Sequence, residues 1–378
     1  MMVWFSWLYV FLFMLFLTTY VSSSSLSSPP PASALPLCHN DERYALLQFN
    51  NSFSIDDTIH SLCTDRRPTT ISWESGTDCC AWNGVTCDTV TGHVIGLDLS
   101  CGGLRGMIHS NSSLFQLPHL QTLNLSWNDF RGSKIPAEFG KFAHLMNLEI
   151  GFANLSGHIP PEISYLSKLQ TIRLAACPPQ QLRLNAFSFG RIVTNLTDLR
   201  DLTLFSVDMS EVEPLSLMNL SSSSLTSLRI IDCELQGNFP TNIFHRPKLQ
   251  QLDLAYNENL KGSLPQYNWS SSLEWLRLSR TKFLIDISHL TRNMNTLDAL
   301  YLSNCSFVGS YHQLFGNLTN ITKLDLSYNN IGGQIPFPYW PCQNLERLAY
   351  LYLAGNNFIG QVPSFCSHNK STQITFFT

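Results

Sequence analysis

The sequence predicts an α/β fold, a right-handed solenoid of stacked repeats with a parallel sheet on its concave face and a disulfide-bonded N-terminal cap. Three features predict it: a leucine pattern that recurs from Val94 onward, a cysteine cluster before the repeats, and an apolar segment at the start of the chain. Together the last two features indicate folding in an oxidising, secretory compartment.

The repeats carry most of this prediction. HLQTLNLSWNDFRGSKIP from His119, KLQQLDLAYNENLKGSLP from Lys248 and NITKLDLSYNNIGGQIP from Asn320 share the pattern L-x-x-L-x-L-x-x-N-x-L-x-G-x-I-P. The first apolar residue of each repeat, here called the marker, is Val94, Leu120, Leu145, Leu169, Leu199, Leu225, Leu249, Leu273, Leu297, Ile321 and Leu348. Markers are 24 to 30 residues apart, with one insertion after Ala176. This spacing is typical of leucine-rich repeats.

Each repeat should supply one short strand. Because L-x-L places both leucines on the same side, stacking the strands builds a parallel sheet over a leucine core, and the residues between the leucines face outward. The residue eight after the marker, here called the ladder position, is Asn128, Cys177, Cys233, Asn257, Cys305, Asn329 and Asn356. A small side chain there should turn inward and bond backbone groups at the bend. Cys177, Cys233 and Cys305 are therefore predicted to be buried, reduced and inert.

Residues 37–93 are predicted to form the cap that covers the first leucine layer. In DERYALLQFNNSF, Asp41 is the expected N-cap residue of a helix with acids in its first turn. Leu46, Phe49 and Phe53 share one face of that helix. Trp82 is available to fill the core of the cap.

The stretch DCCAWNGVTCD, residues 78–88, indicates how the cap is cross-linked. Neighbouring side chains on an extended backbone point to opposite faces, so Cys79 and Cys80 should bond different partners. A tight turn at Asn83-Gly84 would form a hairpin that joins Cys80 to Cys87. Cys79 is then left for Cys38.

The remaining cysteines are assigned by elimination. Cys63 and Cys101 lie in the same neighbourhood and are the candidates for a third bond, while Cys342 and Cys366 lie one repeat apart and either pair or stay free. The total of 11 cysteines is odd, so at least one thiol has no internal partner.

The N-terminal segment reads as a secretory signal, assigned to residues 1–28 and followed by a Ser/Pro-rich linker over residues 29–36. The apolar run extends from Val3 to Val21, and Ala32-Ser33-Ala34 has the small-residue pattern of a signal-peptidase site. An uncleaved membrane anchor is the alternative, because no Lys or Arg precedes the run and its length approaches that of a membrane span.

Charge and motifs argue against several functions. A net charge of −4 with 13% charged residues gives no basic field for nucleic acid and no polybasic signal for an anionic membrane. No H-E-x-x-H, G-x-S-x-G, C-x-x-C or phosphate-loop pattern is present, and no two histidines are closer than ten residues in sequence. The sequence therefore predicts no enzyme, no cofactor and no metal site.

Sequons for N-glycosylation are abundant, as expected of a protein that folds in the secretory pathway. Asn-x-Ser/Thr occurs at Asn50, Asn111, Asn124, Asn154, Asn195, Asn219, Asn268, Asn304, Asn317, Asn320 and Asn369. Some of these sequons arise simply because N-L-S/T suits the repeat.

The cap pattern DERYALLQF, then DCCAWNGVTCDTVTGHVIGLDLSCGGL, and the G-x-I-P repeat tails together resemble plant leucine-rich-repeat receptor-like proteins, especially the Cf-type immune receptors. The resemblance covers the chain from Cys38 to its end. It implies an extracellular glycoprotein in plant defence, with paired cap cysteines, that recognises a peptide or protein ligand and signals through partner receptor kinases at the plasma membrane.

The chain departs from that family at its C-terminal end. In the family, a C-terminal cap, an acidic stretch and one membrane span follow the repeats, whereas GQVPSFCSHNKSTQITFFT matches none of these. The expectation is about eleven repeats over residues 94–366, an uncapped tail at 367–378, and membrane association only through a missing C-terminal span or an uncleaved N-terminal segment.

The alternative function is a secreted inhibitor of a pathogen cell-wall-degrading enzyme, because polygalacturonase-inhibiting proteins have a similar cap, repeats and length. The irregular repeats between Leu169 and Leu225 and the lack of a closing cap favour the receptor.

The ligand surface is predicted from positions two, four and seven after each marker, which form columns along the concave sheet, with strands about 4.8 Å apart. In the final five repeats these columns contain Asp253, Tyr256, Trp275, Arg277, Arg280, Tyr301, Lys323, Asp325, Tyr328, Tyr350 and Tyr352. Tyr, Trp and Arg dominate interface hot spots, so replacing Trp275 or Arg277 with Ala should weaken binding and leave unfolding nearly unchanged. The alternatives are that the aromatic rings only cover the sheet, or that ligand binds near Glu149 and Arg173.

Overall fold

Short parallel strands dominate the part of the chain that the structure, a computed structural model, describes: residues 37–56, 63, 69–309, 320–334, 347–359 and 373–375. The expected signal peptide and linker, Cys342, Cys366, Asn317 and Asn369 lie outside the described residues. Of the tail at 367–378, residues 373–375 are described.

The helices are α1 Asn40–Asn51, α2 Ala186–Asn195 and α3 Ile287–Thr291. The strands are β1 Ser54–Ile55, β2 Val85–Cys87, β3 Val94–Asp98, β4 Leu104–Arg105, β5 Thr122–Asn124, β6 Asn147–Gly151, β7 Gly157–His158, β8 Thr171–Ala175, β9 Leu182–Arg183, β10 Asp201–Phe205, β11 Ser227–Ile231, β12 Gly237–Asn238, β13 Gln251–Asp253, β14 Leu260–Ser263, β15 Trp275–Arg277, β16 Lys282–Asp286, β17 Ala299–Tyr301, β18 Ser306–Val308, β19 Lys323–Asp325, β20 Gly332–Gln334, β21 Tyr350–Tyr352, β22 Asn357–Ile359 and β23 Gln373–Thr375.

One sheet carries the strand of each repeat. Among the described residues it has 13 strands in the order β2, β3, β5, β6, β8, β10, β11, β13, β15, β17, β19, β21, β23. β2 and β3 pair antiparallel, and the strands after them pair parallel and in register, as when Leu202 pairs with Ile172 on one side and Leu228 on the other. The same repeat position therefore keeps the same orientation along the sheet, and the predicted solenoid is confirmed.

The core is a continuous stack of apolar side chains. Every marker residue from Val94 to Leu348 is buried. Larger rings, including Phe139, Phe189, Phe244 and Phe283, are fully buried in the same cluster. Since each repeat covers its neighbour, the stability of one repeat depends on the repeats beside it.

Asparagine ladder residues bond backbone groups from two repeats, as predicted. Asn257 Oδ1 accepts from the backbone N–H groups of Cys233 and Leu235, and Asn257 Nδ2 donates to the carbonyls of Ile230 and Leu254. Cys233 and Cys305 use the thiol instead, with Sγ 3.1 Å from the carbonyl oxygens of Ile231 and Leu278, respectively.

Two ladder cysteines are less buried than predicted. Cys305 is half-buried, although its thiol still reaches the carbonyl of Leu278. Cys177 is also half-buried, and its Sγ lies 3.8 Å from the carbonyl oxygen of Pro178, at the start of the insertion. The insertion redirects the chain there, so the thiol does not reach the ladder carbonyls that Cys233 contacts. All three ladder cysteines are free thiols, as expected.

The cap helix α1 begins two residues earlier than predicted. Its N-cap residue is His39, without a side-chain capping bond, and Asp41 lies in the first turn rather than at the cap. The predicted apolar residues Leu46, Phe49 and Phe53 are buried, although Phe53 follows the end of the helix. They cover the first leucine layer, as a cap must.

The cap cysteines lie in three pairs at disulfide distance, with Cα–Cα separations of 5.5 Å for Cys38–Cys79, 5.9 Å for Cys63–Cys101 and 5.5 Å for Cys80–Cys87. The backbone that holds two of these pairs differs from the predicted one. Residues Cys79–Ala81 form a 3-10 turn rather than an extended segment, and β2 pairs with β3 instead of forming a hairpin between Cys80 and Cys87.

Trp82 fills the cap as predicted. It is buried, stacks on Trp73 at 5.2 Å between ring centroids, and donates from Nε1 to Thr77 Oγ1 at 2.7 Å. Gly84, with φ of 80°, then turns the chain into β2, a conformation that glycine adopts without a Cβ clash.

In the tail, β23 pairs with β21 and extends the sheet. Within the described ranges no helix is both long and apolar enough to cross a membrane.

Candidate ligand-binding surface

The eleven residues predicted to bind ligand lie on the sheet strands of five successive repeats or just after them. We call this set the C-terminal patch. Position-two and position-four residues lie on β13, β15, β17, β19 and β21. Position seven follows the strand: Tyr256, Arg280 and Tyr328 have φ of 64°, 56° and 57°. This left-handed conformation recurs at position seven in most repeats and turns the chain out of the strand.

Aromatic and cationic side chains contact one another across the strands. The rings of Trp275 and Tyr301 lie 5.0 Å apart between centroids, and Lys323 Nζ lies 5.7 Å from the Trp275 centroid and 5.9 Å from that of Tyr350. Each cation–π contact of this kind contributes about 0.5–1 kcal/mol when exposed. The contacts fix the rings as a continuous platform along β15 to β21.

Beneath the platform lies an ion pair. Arg277 Nη1 is 3.6 Å from Asp253 Oδ2, and the two residues are only 8% and 1% exposed. The Arg277 guanidinium lies 5.3 Å from the Tyr256 centroid and 5.8 Å from that of Tyr301. Burial raises the pKa of Asp253, and the charge of Arg277 opposes that shift. Neither residue faces solvent, so neither is positioned for the direct ligand contact that was predicted from the sequence.

The outer layer of the patch consists of tyrosines and side-chain charges. Tyr328 is 66% exposed and Tyr350 is 37% exposed, whereas Tyr301 and Tyr352 are half-buried. Burial raises the pKa of both Tyr301 and Tyr352, so their phenol groups remain neutral hydrogen-bond donors. Asp325 is half-buried and accepts from the backbone N–H and the hydroxyl of Ser327.

Charged side chains in the N-terminal half of the concave face form ion pairs with one another. Arg173 donates to Glu149 Oε1 at 3.1 Å and to Asp201 Oδ2 at 2.8 Å, and Arg229 donates to the same Asp201 oxygen at 3.2 Å. Burial raises the pKa of Glu149 against the opposing charge of Arg173. A ligand that used these charges would have to break existing pairs, which favours the C-terminal patch.

That half also contains an aromatic group that was not predicted from the sequence. Trp127 and Phe152 stack with ring centroids 4.4 Å apart, and Phe205 lies 5.6 Å from Phe152. Trp127 and Phe152 occupy position seven of their repeats, so the repeat pattern places them in the same column as Tyr256. Phe152 and Phe205 are buried, which indicates that they cover the sheet.

Two sequons lie near the concave face. Asn304, at position seven between Arg280 and Tyr328, is exposed with φ of 52°. Asn124, on β5, is half-buried, and its Oδ1 accepts from Ser126 N at 3.1 Å. A glycan on Asn304 would border the C-terminal patch.

Family models agree with this architecture. Residues 39–88 match the leucine rich repeat N-terminal domain, and residues 116–133 and 317–335 match the leucine rich repeat. The first match covers most of the cap.

Curated relatives are plant receptor-like proteins. Receptor-like protein 9DC1 of Solanum pimpinellifolium is 36% identical over 333 residues, 86% of this chain and 34% of the relative. Receptor-like protein Cf-9 of the same species is 40% identical over 272 residues, 70% of this chain and 30% of the relative. Receptor-like protein 6 of Arabidopsis thaliana is 37% identical over 303 residues, 76% of this chain and 30% of the relative. The chain thus spans about a third of the length of these relatives.

Among solved structures, a plant ice-binding protein is similar with a TM-score of 0.54 and 22% identity, covering 87% of this chain and 90% of that one. At this identity the likeness concerns the fold alone.

Proposed function

Because this chain belongs to the plant leucine-rich-repeat receptor-like proteins, we propose that it recognises an extracellular peptide or protein ligand through the C-terminal patch. The single observation that supports this most directly is the platform of Trp275, Tyr301, Lys323 and Tyr350 over four successive sheet strands. Rigid aromatic rings bury much area on binding and lose few rotamers.

The dimensions of the patch support an extended peptide as the ligand class. Five strands at about 4.8 Å spacing extend over about 19 Å, which matches about six residues of an extended peptide. Arg280, Lys323 and Asp325 are partly exposed, whereas Asp253 is buried, so cations outnumber acids two to one among the partly exposed charges of the patch. An extended segment with aromatic or proline residues and at least one carboxylate fits these groups best.

Membership of this family supports a proposal for the location and the signalling role of the chain. We place the chain outside the cell, with signalling through partner receptor kinases in plant defence, and at the plasma membrane when a membrane-spanning segment is present. The support is the similarity to Cf-9, a receptor-like protein.

The test is a selection of peptides that depend on the patch. A library of random 12-residue peptides is panned against the secreted, glycosylated chain and counter-selected against Trp275→Ala, and the enriched peptides are then titrated against both proteins. We expect peptides that bind the unaltered chain and lose affinity for the variant.

A matched control uses Tyr267→Ala, because Tyr267 is an exposed aromatic residue outside the patch. Peptides should bind this variant as tightly as the unaltered chain. If all selected peptides bind Trp275→Ala unchanged, the patch is not the ligand surface. Inhibition of a fungal polygalacturonase by the chain would instead support the secreted inhibitor.

A further inference from the structure

Four histidines that are far apart in sequence form a column beside the first strands. The His39 and His93 rings stack with centroids 3.9 Å apart and planes 7° apart. His93 and His119 are also 3.9 Å apart, and His119 and His144 are 6.2 Å apart. His93, His119 and His144 each precede the marker of their repeat, so the stacking of repeats brings them together. We call this set the histidine column.

A buried carboxylate from the cap helix faces the column. Glu42 is 2% exposed; its Oε2 accepts from the backbone N–H of Val94 at 2.9 Å, and its Oε1 lies 3.3 Å from His93 Nδ1. One carboxylate oxygen of Glu42 and one ring nitrogen each of His93 and His119 lie within 4.8 Å of one another. The cluster therefore joins α1 to the first two repeats.

The donor set suits a divalent transition-metal ion. Imidazole nitrogens with a carboxylate oxygen are ligands that Zn²⁺ binds at about 2.0–2.2 Å, which places tetrahedral ligand atoms about 3.3 Å apart. The Glu42–His93 distance already has this value. His119 is half-buried rather than packed in the core, so its ring can rotate to close the remaining gap.

A hydrogen bond and a ring stack orient the first two ligands. The bond from Val94 holds the second oxygen of Glu42, and stacking on His39 holds the His93 ring, while His39 Nε2 is itself 2.9 Å from the Thr91 carbonyl oxygen. Such outer contacts fix ligand orientation in known metal sites. By contrast, the nearby group of Cys38, Cys80 and Cys87 is paired in disulfides and has no free thiolate to offer.

We propose that Glu42, His93 and His119 bind one divalent transition-metal ion of the Zn²⁺ type, which ties the cap helix to the first two repeats. The remaining coordination positions would be filled by water. This site lies on the cap and is independent of ligand recognition at the C-terminal patch.

The experiment uses the secreted, glycosylated full chain without an oligohistidine tag, titrated calorimetrically with ZnCl₂ and, separately, with MgCl₂. We expect one Zn²⁺ per chain, no response to Mg²⁺, and a rise in Tm of about 3 °C at 100-fold excess over Kd. Binding should weaken from about pH 7.5 to about pH 5, because protons compete for imidazole nitrogen.

Variants locate the site. His119→Gln removes a half-buried ligand without disturbing the core and should weaken Zn²⁺ binding about tenfold or more. Glu42→Gln keeps an acceptor for the backbone N–H of Val94 and should also weaken Zn²⁺ binding about tenfold or more. The matched control His245→Gln changes an exposed histidine on a later repeat and should bind as the unaltered chain does. Absence of Zn²⁺ binding, or equal affinity in all three variants, would overturn the proposal.

Discussion

Arg277 lies 3.6 Å from Asp253 on the neighbouring strand, and the rings of Tyr256 and Tyr301 lie over its guanidinium. The buried ion pair lies beneath the aromatic rings of the C-terminal patch. Substitutions in the patch should therefore differ in their effect on the free energy of unfolding.

We expect Arg277→Ala to lower the free energy of unfolding by about 3 kcal/mol, because it leaves Asp253 buried without its partner. This revises the expectation from the sequence that stability would not change. Urea unfolding followed by tryptophan fluorescence measures the loss. Arg280→Ala, at a partly exposed residue 5.4 Å from the Tyr256 ring, is the control and should cost no more than about 0.5–1 kcal/mol. Equal stability of the two variants would contradict the buried pair.

Trp275→Ala should affect binding more than folding. Loss of an aromatic hot spot costs about 2 kcal/mol, or about a 30-fold increase in Kd for a selected peptide. Trp275 is only half-buried, so Tm should fall by less than about 4 °C. Titration and differential scanning calorimetry on the same samples separate the two effects, and a large fall in Tm with unchanged Kd would assign the ring a structural role.

Asn257→Ala should be among the most destabilising polar substitutions. It removes an amide that serves four buried backbone groups, those of Cys233, Leu235, Ile230 and Leu254, at an expected cost of about 3 kcal/mol or more. Asn257→Cys should recover part of the lost stability, because the thiol of Cys233 contacts a ladder carbonyl at the equivalent position.

The control for the ladder prediction is Asn238→Ala, at an exposed position, which should change the free energy of unfolding by less than about 0.5 kcal/mol. Chemical denaturation of the three variants gives the comparison. A cost for Asn257→Ala no greater than that of the control would show that water or a shifted backbone satisfies the ladder.

The thiols of Cys233, which is buried, and Cys305, which is half-buried, should resist alkylation in the folded chain. Burial raises the pKa of Cys305 from 9.0 to about 12 and that of Cys233 further still. Because the thiolate is the reactive form, iodoacetamide at about pH 8.5 should label both only after unfolding, as measured by peptide mass spectrometry. Labelling of native Cys233 would refute its burial.

The same shifts make stability depend on pH. A raised pKa means that the folded state keeps its proton longer, so the stabilisation is complete below 9.0 and is lost as pH rises toward the folded pKa of about 12 for Cys305. The urea midpoint should therefore fall above about pH 9, and Cys233→Ala with Cys305→Ala should reduce that fall.

Glycan occupancy should follow exposure of the sequon. Among the described sequons, Asn111, Asn195, Asn219, Asn268 and Asn304 are exposed, whereas Asn154 donates its Nδ2 to Asp129 Oδ1 at 2.6 Å. Glycopeptide mapping should find the exposed group occupied and Asn154 unmodified. Ser306→Ala removes the sequon of Asn304 and should increase peptide binding at the adjacent patch, and an unchanged Kd would place the ligand elsewhere.

Local patterns in the sequence were sufficient for the repeat architecture. Leucine spacing gives the strands, and it also locates Asn257 and Cys233 on the ladder, because every repeat has the same local geometry. The disulfide partners could also be predicted from the sequence, since few cysteines lie in the cap. The backbone conformation of these cysteines could not be predicted. Cys79 and Cys80 lie in a 3-10 turn because the hydrogen bonds of Asp78 and the pairing of β2 with β3 close the chain there.

What the sequence determined by itself is which residues occupy each repeat position and hence which columns they form. Only the tertiary structure decided how deeply each residue of a column is buried. Arg277 and Trp275 point to the same outward face of one strand, yet Arg277 is covered by rings from neighbouring repeats. The histidine column likewise exists only because stacking brings His93 next to His119 and α1 brings Glu42 to them. The physical reason is that strand periodicity fixes the direction of a side chain, whereas its environment depends on residues about 24 positions away that only the folded solenoid places beside it.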